Sequence, residues 1–420
     1  MIAVLRFLVL LALTMPWAAG QQPEDNVNSR YTVESIELPE KFESKLSDTL
    51  RGEIKKLIGE RFNPDIVDNL ARRIRKELRG HRVMHKVTKG AKPESIRVVF
   101  EIVRSRGDSD IVLPRLVYHS RQNFSFGADG TIEHEGHRLS LGILTDNDEL
   151  LERYSGIRGG YQRMAAGGRF RGGFVVESFR AQWNPAIQTA LNAQPESGTN
   201  SVPGIYRTRL HVEPGFQLEL IPGLTVGAGV SIQRFQTQFP AARDESSHAL
   251  TSSLRLERRW DLPIHGLHIV EAGYNLRAAT QSLDSDFIYT RHSFHGRYQF
   301  RKGKESISGA FTGGALAGRA PLFERFVLGN STTLRGYNKY DVAPLGGSRM
   351  AHGSVDYRHD WFRVIYDTGA VFDRGGQSRV HHSIAAGITT GWKRDSFSFL
   401  VAFPLKEGRA EPIFILGMNF

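Results

Sequence analysis

Pro412-Ile-Phe-Ile-Leu-Gly-Met-Asn-Phe420 is the stretch on which the fold turns. Phe414, Leu416, Met418 and Phe420 recur at every second position, with Ile415, Gly417 and Asn419 between them. Successive side chains of a β-strand point to opposite faces, so the spacing predicts a strand with one wholly apolar face. Residues 396–404 repeat the pattern, with Phe397, Phe399, Val401 and Phe403 on one side. A face carrying that many exposed aromatics needs an apolar medium around it, which for strands means either a second sheet or lipid.

The same alternation runs back to about Ile111, in segments of roughly ten residues separated by Gly, Asp, Asn and Pro clusters. The segments are 113–119, 123–132, 138–145, 153–164, 169–183, 206–221, 224–238, 249–260, 267–279, 287–300, 306–317, 350–359, 362–372, 382–392, 396–404 and 412–420. Their even number suits a closed single-chain barrel, and no blade-length repeat points to a propeller. Trp183, Trp260, Trp361 and Trp392 stand near strand ends, where aromatic girdles meet a membrane interface. The expected fold is mostly β: a 16-stranded antiparallel transmembrane β-barrel over 111–420, preceded by one small β-α-α-β-β domain. If the short turns face the periplasm, both barrel ends of the chain do too.

Composition sets the limits around this reading. The 420 residues include 43 glycines, no cysteine and a net charge of +11, and mean hydropathy is −0.32. After the amino terminus no segment reaches the ~20 apolar residues of a spanning helix, which excludes a helical membrane protein. Without cysteine there is no disulfide framework, thiol catalysis or cysteine-ligated metal. At the amino terminus Arg6 precedes the apolar run 7–13, and Trp17-Ala18-Ala19-Gly20 offers small residues before Gln21. That is the layout of a signal peptide over 1–20, followed by a polar linker at 21–30.

Residues 31–106 carry helical periodicity. A strand at 31–38 is followed by a helix at 42–62, with Leu46, Leu50, Ile54 and Leu57 in phase and Ser44 or Ser47 as its cap. Asn63-Pro64 opens a second helix bearing Ile66, Val67, Leu70, Ile74 and Leu78. Strands at 82–87 and 96–103 complete the unit. Arg72, Arg73, Arg75, Lys76, Arg79 and Arg82 cluster on and after the second helix. A secreted chain makes nucleic acid a poor partner for them, leaving a solvated helix face or anionic lipid headgroups.

Chemical motifs are lacking: no Gly-x-Ser-x-Gly elbow, P-loop or His-Glu-x-x-His is present. His134-Glu135-Gly136-His137 falls in a turn without a third ligand. Neither an enzyme, nor a cofactor, nor a metal is expected. The most informative connection is Glu324-Arg-Phe-Val-Leu-Gly-Asn-Ser-Thr-Thr-Leu334-Arg335-Gly336-Tyr337, between strands eleven and twelve. Strand twelve contains Asp356-Tyr357-Arg358 and strand thirteen Tyr366-Asp367-Thr368-Gly369. On strand thirteen the face with Val364, Tyr366, Ala370 and Phe372 suits lipid, so Asp367 and Gly369 point inward. By the same parity Ser354, Asp356 and Arg358 face the lumen. By these residues alone, Arg335 also reads as an ordinary loop arginine in water.

The order of these elements, with a phenylalanine ending the last strand, resembles the bacterial surface-antigen family of outer-membrane assembly and transport barrels, the BamA/TamA-like proteins and two-partner-secretion transporters. The resemblance implies a sixth loop folded into the lumen, with Arg335 paired to Asp367 and with Gly336, Tyr337, Asp356 and Gly369 completing a lock. Leu334 stands where valine is usual. The module at 31–106 resembles a polypeptide-transport-associated (POTRA) domain, in a single copy. The family implies a non-enzymatic factor that inserts barrel proteins into the outer membrane, or moves polypeptides across it. It would do so by strand augmentation and by opening a lateral seam at Phe414, Leu416, Gly417, Met418 and Phe420, where Gly417 and Pro412 would weaken pairing. Expected partners are the outer-membrane bilayer, extended or unfolded polypeptides, and periplasmic chaperones or accessory proteins. The alternatives are a dedicated exoprotein transporter and a passive porin or structural barrel.

Overall fold

The computed structural model describes residues 31–43, 45–78, 81–104, 108–165, 168–193, 204–262, 266–391, 396–406 and 410–418. The expected signal peptide and linker, together with Trp392 and Phe420, lie outside the described residues. The chain divides into two compact units, Met1–Gly107 and Asp108–Phe420.

The first unit runs β1 (Thr32–Glu37), α1 (Glu40–Glu43), α2 (Asp48–Lys56), α3 (Pro64–Glu77), β2 (His81–Lys89) and β3 (Ser95–Arg104). The helix expected at 42–62 is two shorter pieces. Ser47 interrupts it by taking the N-cap of α2, accepting from the Leu50 N–H at 3.3 Å, and its hydroxyl and N–H both donate to Glu77 at 2.7 Å. Asn63 caps α3 and Pro64 fills its first turn, where the missing N–H costs nothing. The sheet order is β1-β3-β2, with β1 parallel and β2 antiparallel to the central β3. Leu50, Ile54, Val67, Leu70 and Ile74 from the helices meet Val33, Val98 and Phe100 of the sheet in one core. Among the described residues β2 has no strand partner on its outer side.

The second unit is a closed barrel. Its strands are β4 (Asp108–His119), β5 (Asn123–His134), β6 (His137–Asp146), β7 (Arg153–Met164), β8 (Phe170–Gln182), β9 (Ile205–Ile221), β10 (Leu224–Phe239), β11 (Arg243–Ser246), β12 (Ala249–Leu262) and β13 (Gly266–Ala279). They continue as β14 (Tyr289–Lys302), β15 (Glu305–Gly318), β16 (Arg349–His359), β17 (Phe362–Phe372), β18 (His381–Thr390), β19 (Phe397–Pro404) and β20 (Ile413–Met418). Sixteen of these form the antiparallel wall, and β20 closes on β4. The four-residue β11 pairs only with the outer end of β10, adding a short ribbon beyond the wall.

The wall obeys the expected alternation because lipid accepts only apolar side chains. Leu139, Leu141 and Ile143 of β6 point outward at 56%, 68% and 55% exposure. Inside, Asp129, Arg158, Glu177, His211, Glu213 and Arg277 line a cavity of about 810 Å³. They pair in sequence around it: Arg158 with Asp129, His211 with Glu177 at 2.9 Å and Glu213 at 3.2 Å, and Arg277 with Glu213 at 3.1 Å. The tryptophan expectation divides. Trp260 and Trp361 are exposed on the outer surface. Trp183 instead turns inward, donating to the Tyr206 carbonyl at 2.7 Å and stacking edge-on against that ring. A buried indole N–H needs an acceptor, and the inner wall provides one.

Candidate functional site

The connection from β15 to β16, residues 319–348, folds into the barrel. Phe323, Phe326, Leu328, Leu334 and Tyr337 are buried there, against Tyr206, Phe235, Phe287 and Tyr289 of the wall and its loops, while Leu322 packs in a second cluster with Leu151, Ile187, Ile205 and Leu345. A short helix α4 (Lys339–Val342), capped by Asn338, follows the tip. Burying so many apolar side chains gives the loop a fixed position, and polar contacts then define its register.

Arg335 and Asp367 are both buried, at 8% and 1% side-chain exposure. One guanidinium nitrogen of Arg335 donates to both carboxylate oxygens of Asp367, at 2.7 and 2.9 Å, and the Arg335 backbone N–H adds a third bond at 3.2 Å. His352 of β16 stands 3.5 Å from the same carboxylate. A pair so enclosed has no water to compete for it, so its geometry is specific. Leu334 holds a positive φ of 44°, which turns the chain so that Arg335 enters the pair. Gly336 lies on the backbone of β19, where a Cβ would come within 2.5 Å of the Phe403 carbonyl group and 2.6 Å of Pro404 N. Tyr337 packs edge-on against His381, with ring centroids 4.8 Å apart. Gly369 leaves room for Leu328, which a Cβ would approach to 3.1 Å.

Asp356 does not belong to this cluster. It faces the lumen, but binds Arg363 of β17 at 2.8 Å, two register steps from Asp367. A strand offers its inward residues in a row, and the nearer arginine takes the carboxylate.

Sequence reasoning missed several residues that hold the same loop. Glu324 is buried between Arg277 at 3.0 Å and Arg291 at 3.6 Å. Arg325 binds both oxygens of Asp373 at 2.7 Å. Lys339 is fully buried, and its ammonium donates to the carbonyls of Asn147, at 2.6 Å, and Leu150. Burial pushes that ammonium down from its ordinary value to about 8. Asp148 accepts from Ser331 N and Oγ at 2.9 and 2.5 Å. Of these only Glu324 and Arg325 carried a signal, as a charged pair between Phe323 and Phe326 in an otherwise apolar run.

The closure between β20 and β4 differs from the other wall junctions. Among the described residues Ile415, Leu416, Gly417 and Met418 alone have ladder partners on β4, namely His119, Tyr118, Val117 and Leu116. Every other pair of neighbouring wall strands shares at least six positions. Among the described residues, no position of β4 before Leu116 pairs across the seam, although β4 begins at Asp108 and is bonded to β5 along that length. At the loop end the seam is extended by Ser120 N–H donating to the Phe414 carbonyl at 2.9 Å, and by an Arg121–Glu411 ion pair. Phe414 and Leu416 face outward, while Ile413 and Ile415 are buried inward with Val117, Ile365, Ala385, Leu400 and Ala402. The lumenal face is therefore apolar here rather than polar. A Cβ on Gly417 would collide with the Leu116 carbonyl and lie 2.8 Å from Val117 Cα. Its role is close approach of the two strands, not the weakening expected of a strand glycine.

Comparison with known proteins agrees with this architecture. A model of the Omp85 superfamily domain matches residues 191–400, half of the chain. The chain is 28% identical over 149 residues to the outer membrane protein assembly factor BamA of Nitratidesulfovibrio vulgaris, covering 30% of this chain and 19% of that protein. Its fold is similar to the crystal structure of BamA from Haemophilus ducreyi lacking POTRA domains 1–3, with a TM-score of 0.58 at 14% identity, over 93% of this chain and 85% of that one. CdiB from Acinetobacter baumannii gives 0.55 at 11% identity, over 93% and 74%. With its loop locked inside a 16-stranded barrel that closes on a four-pair seam, this outer-membrane chain belongs to the Omp85 superfamily.

Proposed function

We propose that the protein is a non-enzymatic assembly factor that inserts barrel proteins into the outer membrane through the seam between β20 and β4. The observation that carries this is the mismatch at the seam: among the described residues β20 pairs with β4 at four positions, whereas β4 begins at Asp108 and is bonded to β5 along its length. An unpaired edge presents N–H and C=O groups in register for an incoming strand, and backbone pairing is indifferent to the client's side chains. The apolar cluster behind the seam holds it shut by side-chain packing, which re-forms after opening more readily than a long hydrogen-bonded ladder.

The small unit at 31–104 fits the same task as a POTRA-like domain. The outer edge of β2 is available for a passing extended segment. Periplasmic chaperones would deliver such segments, and the lipid bilayer would receive the product.

Tyr118 and Leu416 face each other across the seam, and the chain has no cysteine of its own. A Tyr118→Cys/Leu416→Cys disulfide should abolish client insertion, and reduction should restore it. Undiminished insertion with the seam locked would refute the reading. Secretion of a single exoprotein, with other barrels unaffected on depletion, would instead favour a dedicated transporter that expels the 319–348 loop from the lumen. A steady open-pore conductance would favour a passive barrel.

A further inference from the structure

The 319–348 loop touches both flanks of the seam, and different side chains serve each flank. On the carboxy-terminal flank Arg335 binds β17, Tyr337 packs at the start of β18 and Gly336 lies on β19. The other flank is reached through the short loop between β6 and β7. Asp148, 1% exposed, is the side chain that binds both the 319–348 loop and β4. It accepts from Ser331 N and Oγ on one side and from the Arg115 guanidinium on the other. Asp146 fixes the same guanidinium, its Oδ2 lying 2.7 Å from Arg115 Nε. Arg115 immediately precedes Leu116, the first residue of β4 with a partner on β20 among the described residues. Two smaller ties run in parallel. Gln122 in the β4–β5 turn donates to the Gly329 carbonyl at 2.7 Å, and Asn147 donates to the Gln122 carbonyl.

We propose that Asp148 is a positioning residue for the seam: it fastens the lumenal loop to β4, so that loop and carboxylate together form a strap across the closure. The proposal rests on the reading of the seam as the exit edge. Four backbone pairs make a weak junction, and among the described residues β4 before Leu116 is bonded to β5 alone. A buried carboxylate with three donors adds a constraint of comparable strength at the point where pairing stops. While Asp148 and Asp367 are both engaged, β4 cannot swing from β20 without dragging the loop. Release of either end removes that link and leaves only the smaller ties.

Amide exchange at the seam in the purified full-length barrel tests this without any client. Asp148→Asn keeps the volume and removes the charge. It should raise exchange across 116–119 and 415–418 about tenfold, the effect of losing a charge-assisted bond, and leave 153–164 in β7 unchanged. Arg115→Met should do the same, and the double variant should be no worse than either single, because both remove one link. Ser331→Ala touches neither seam strand, yet should raise exchange there about threefold by freeing the loop side. It carries the test if Asp148→Asn fails to fold. Unchanged seam exchange in Ser331→Ala and Asp148→Asn, or an equal rise in β7, overturns the strap. A seam that loosens as expected while the locked disulfide leaves insertion intact upholds the strap and sinks only the insertion reading.

Discussion

Replacing Arg335 by alanine removes the cation but leaves Asp367 where it is, buried at 1% exposure and enclosed by β16, β17 and the loop. Its remaining neighbours are the 335 backbone N–H at 3.2 Å, His352 at 3.5 Å and the Ser354 side chain, which hydrogen-bonds the carboxylate from β16. Breaking a buried pair by deleting one partner typically costs about 3–5 kcal/mol, because the orphaned charge keeps its desolvation penalty. The lower figure applies here, since these three neighbours stay. About 3 kcal/mol corresponds to a shift of roughly a hundredfold in the docking equilibrium of the loop tip. Whole-loop expulsion is not expected, because Glu324, Arg325 and Lys339 still hold the loop's other parts. The released segment should therefore be confined to about 329–337.

Limited proteolysis of the folded barrel measures this directly. In Arg335→Ala, cleavage within 329–337 should quicken by about a hundredfold while the strands stay intact. Arg335→Met/Asp367→Leu should recover most of the protection, since exchanging both charges for apolar groups avoids the orphaned carboxylate. Wild-type protection in the single variant would refute the lock. A double variant as exposed as the single would show that loop packing, not the stranded charge, sets the cost.

Three further outcomes follow from the geometry. Gly336→Ala places a methyl against Phe403 and Pro404, at a cost of about 1–3 kcal/mol from overpacking, so it too should expose 329–337 to protease. Glu324→Gln leaves Arg277 and Arg291 without their shared anion and should lower the urea midpoint of the barrel, by about 2–3 kcal/mol of stability. In the amino-terminal unit, Ser95 Oγ and the Ala91 N–H, both 2.7 Å from Glu34, hold its carboxyl below the usual carboxylate range. A carboxylate lowered in the folded state stabilises above its unfolded pKa and loses that contribution as pH falls through the folded value. The Ala91 amide should therefore lose exchange protection on acidification below pH 4.5, and Glu34→Gln should remove that pH dependence.

How much of this was legible depended on what enforces it. Lipid enforces period two on every outward side chain, so the strands Arg153–Met164 and Phe362–Phe372 could be read to the residue. Nothing enforces it outside the bilayer. The strand Arg243–Ser246 is a polar tetrapeptide that pairs beyond the membrane and has no pattern to read. Facing is ambiguous for the same reason at strand ends, where Trp183 found an acceptor inside the barrel instead of an interface outside. Parity placed Asp367 in the lumen, but could not separate it from Asp356, which is just as inward and pairs elsewhere. Contacts such as Ser331 to Asp148 and Lys339 to Asn147 join segments more than 180 residues apart. No local spacing encodes such contacts, because closure of the barrel brings β4 and β20 together, and only then do the intervening loops meet. The strap proposed across the seam is thus a property of the closed ring: the junction that we propose opens is held by residues that become neighbours only once it has shut.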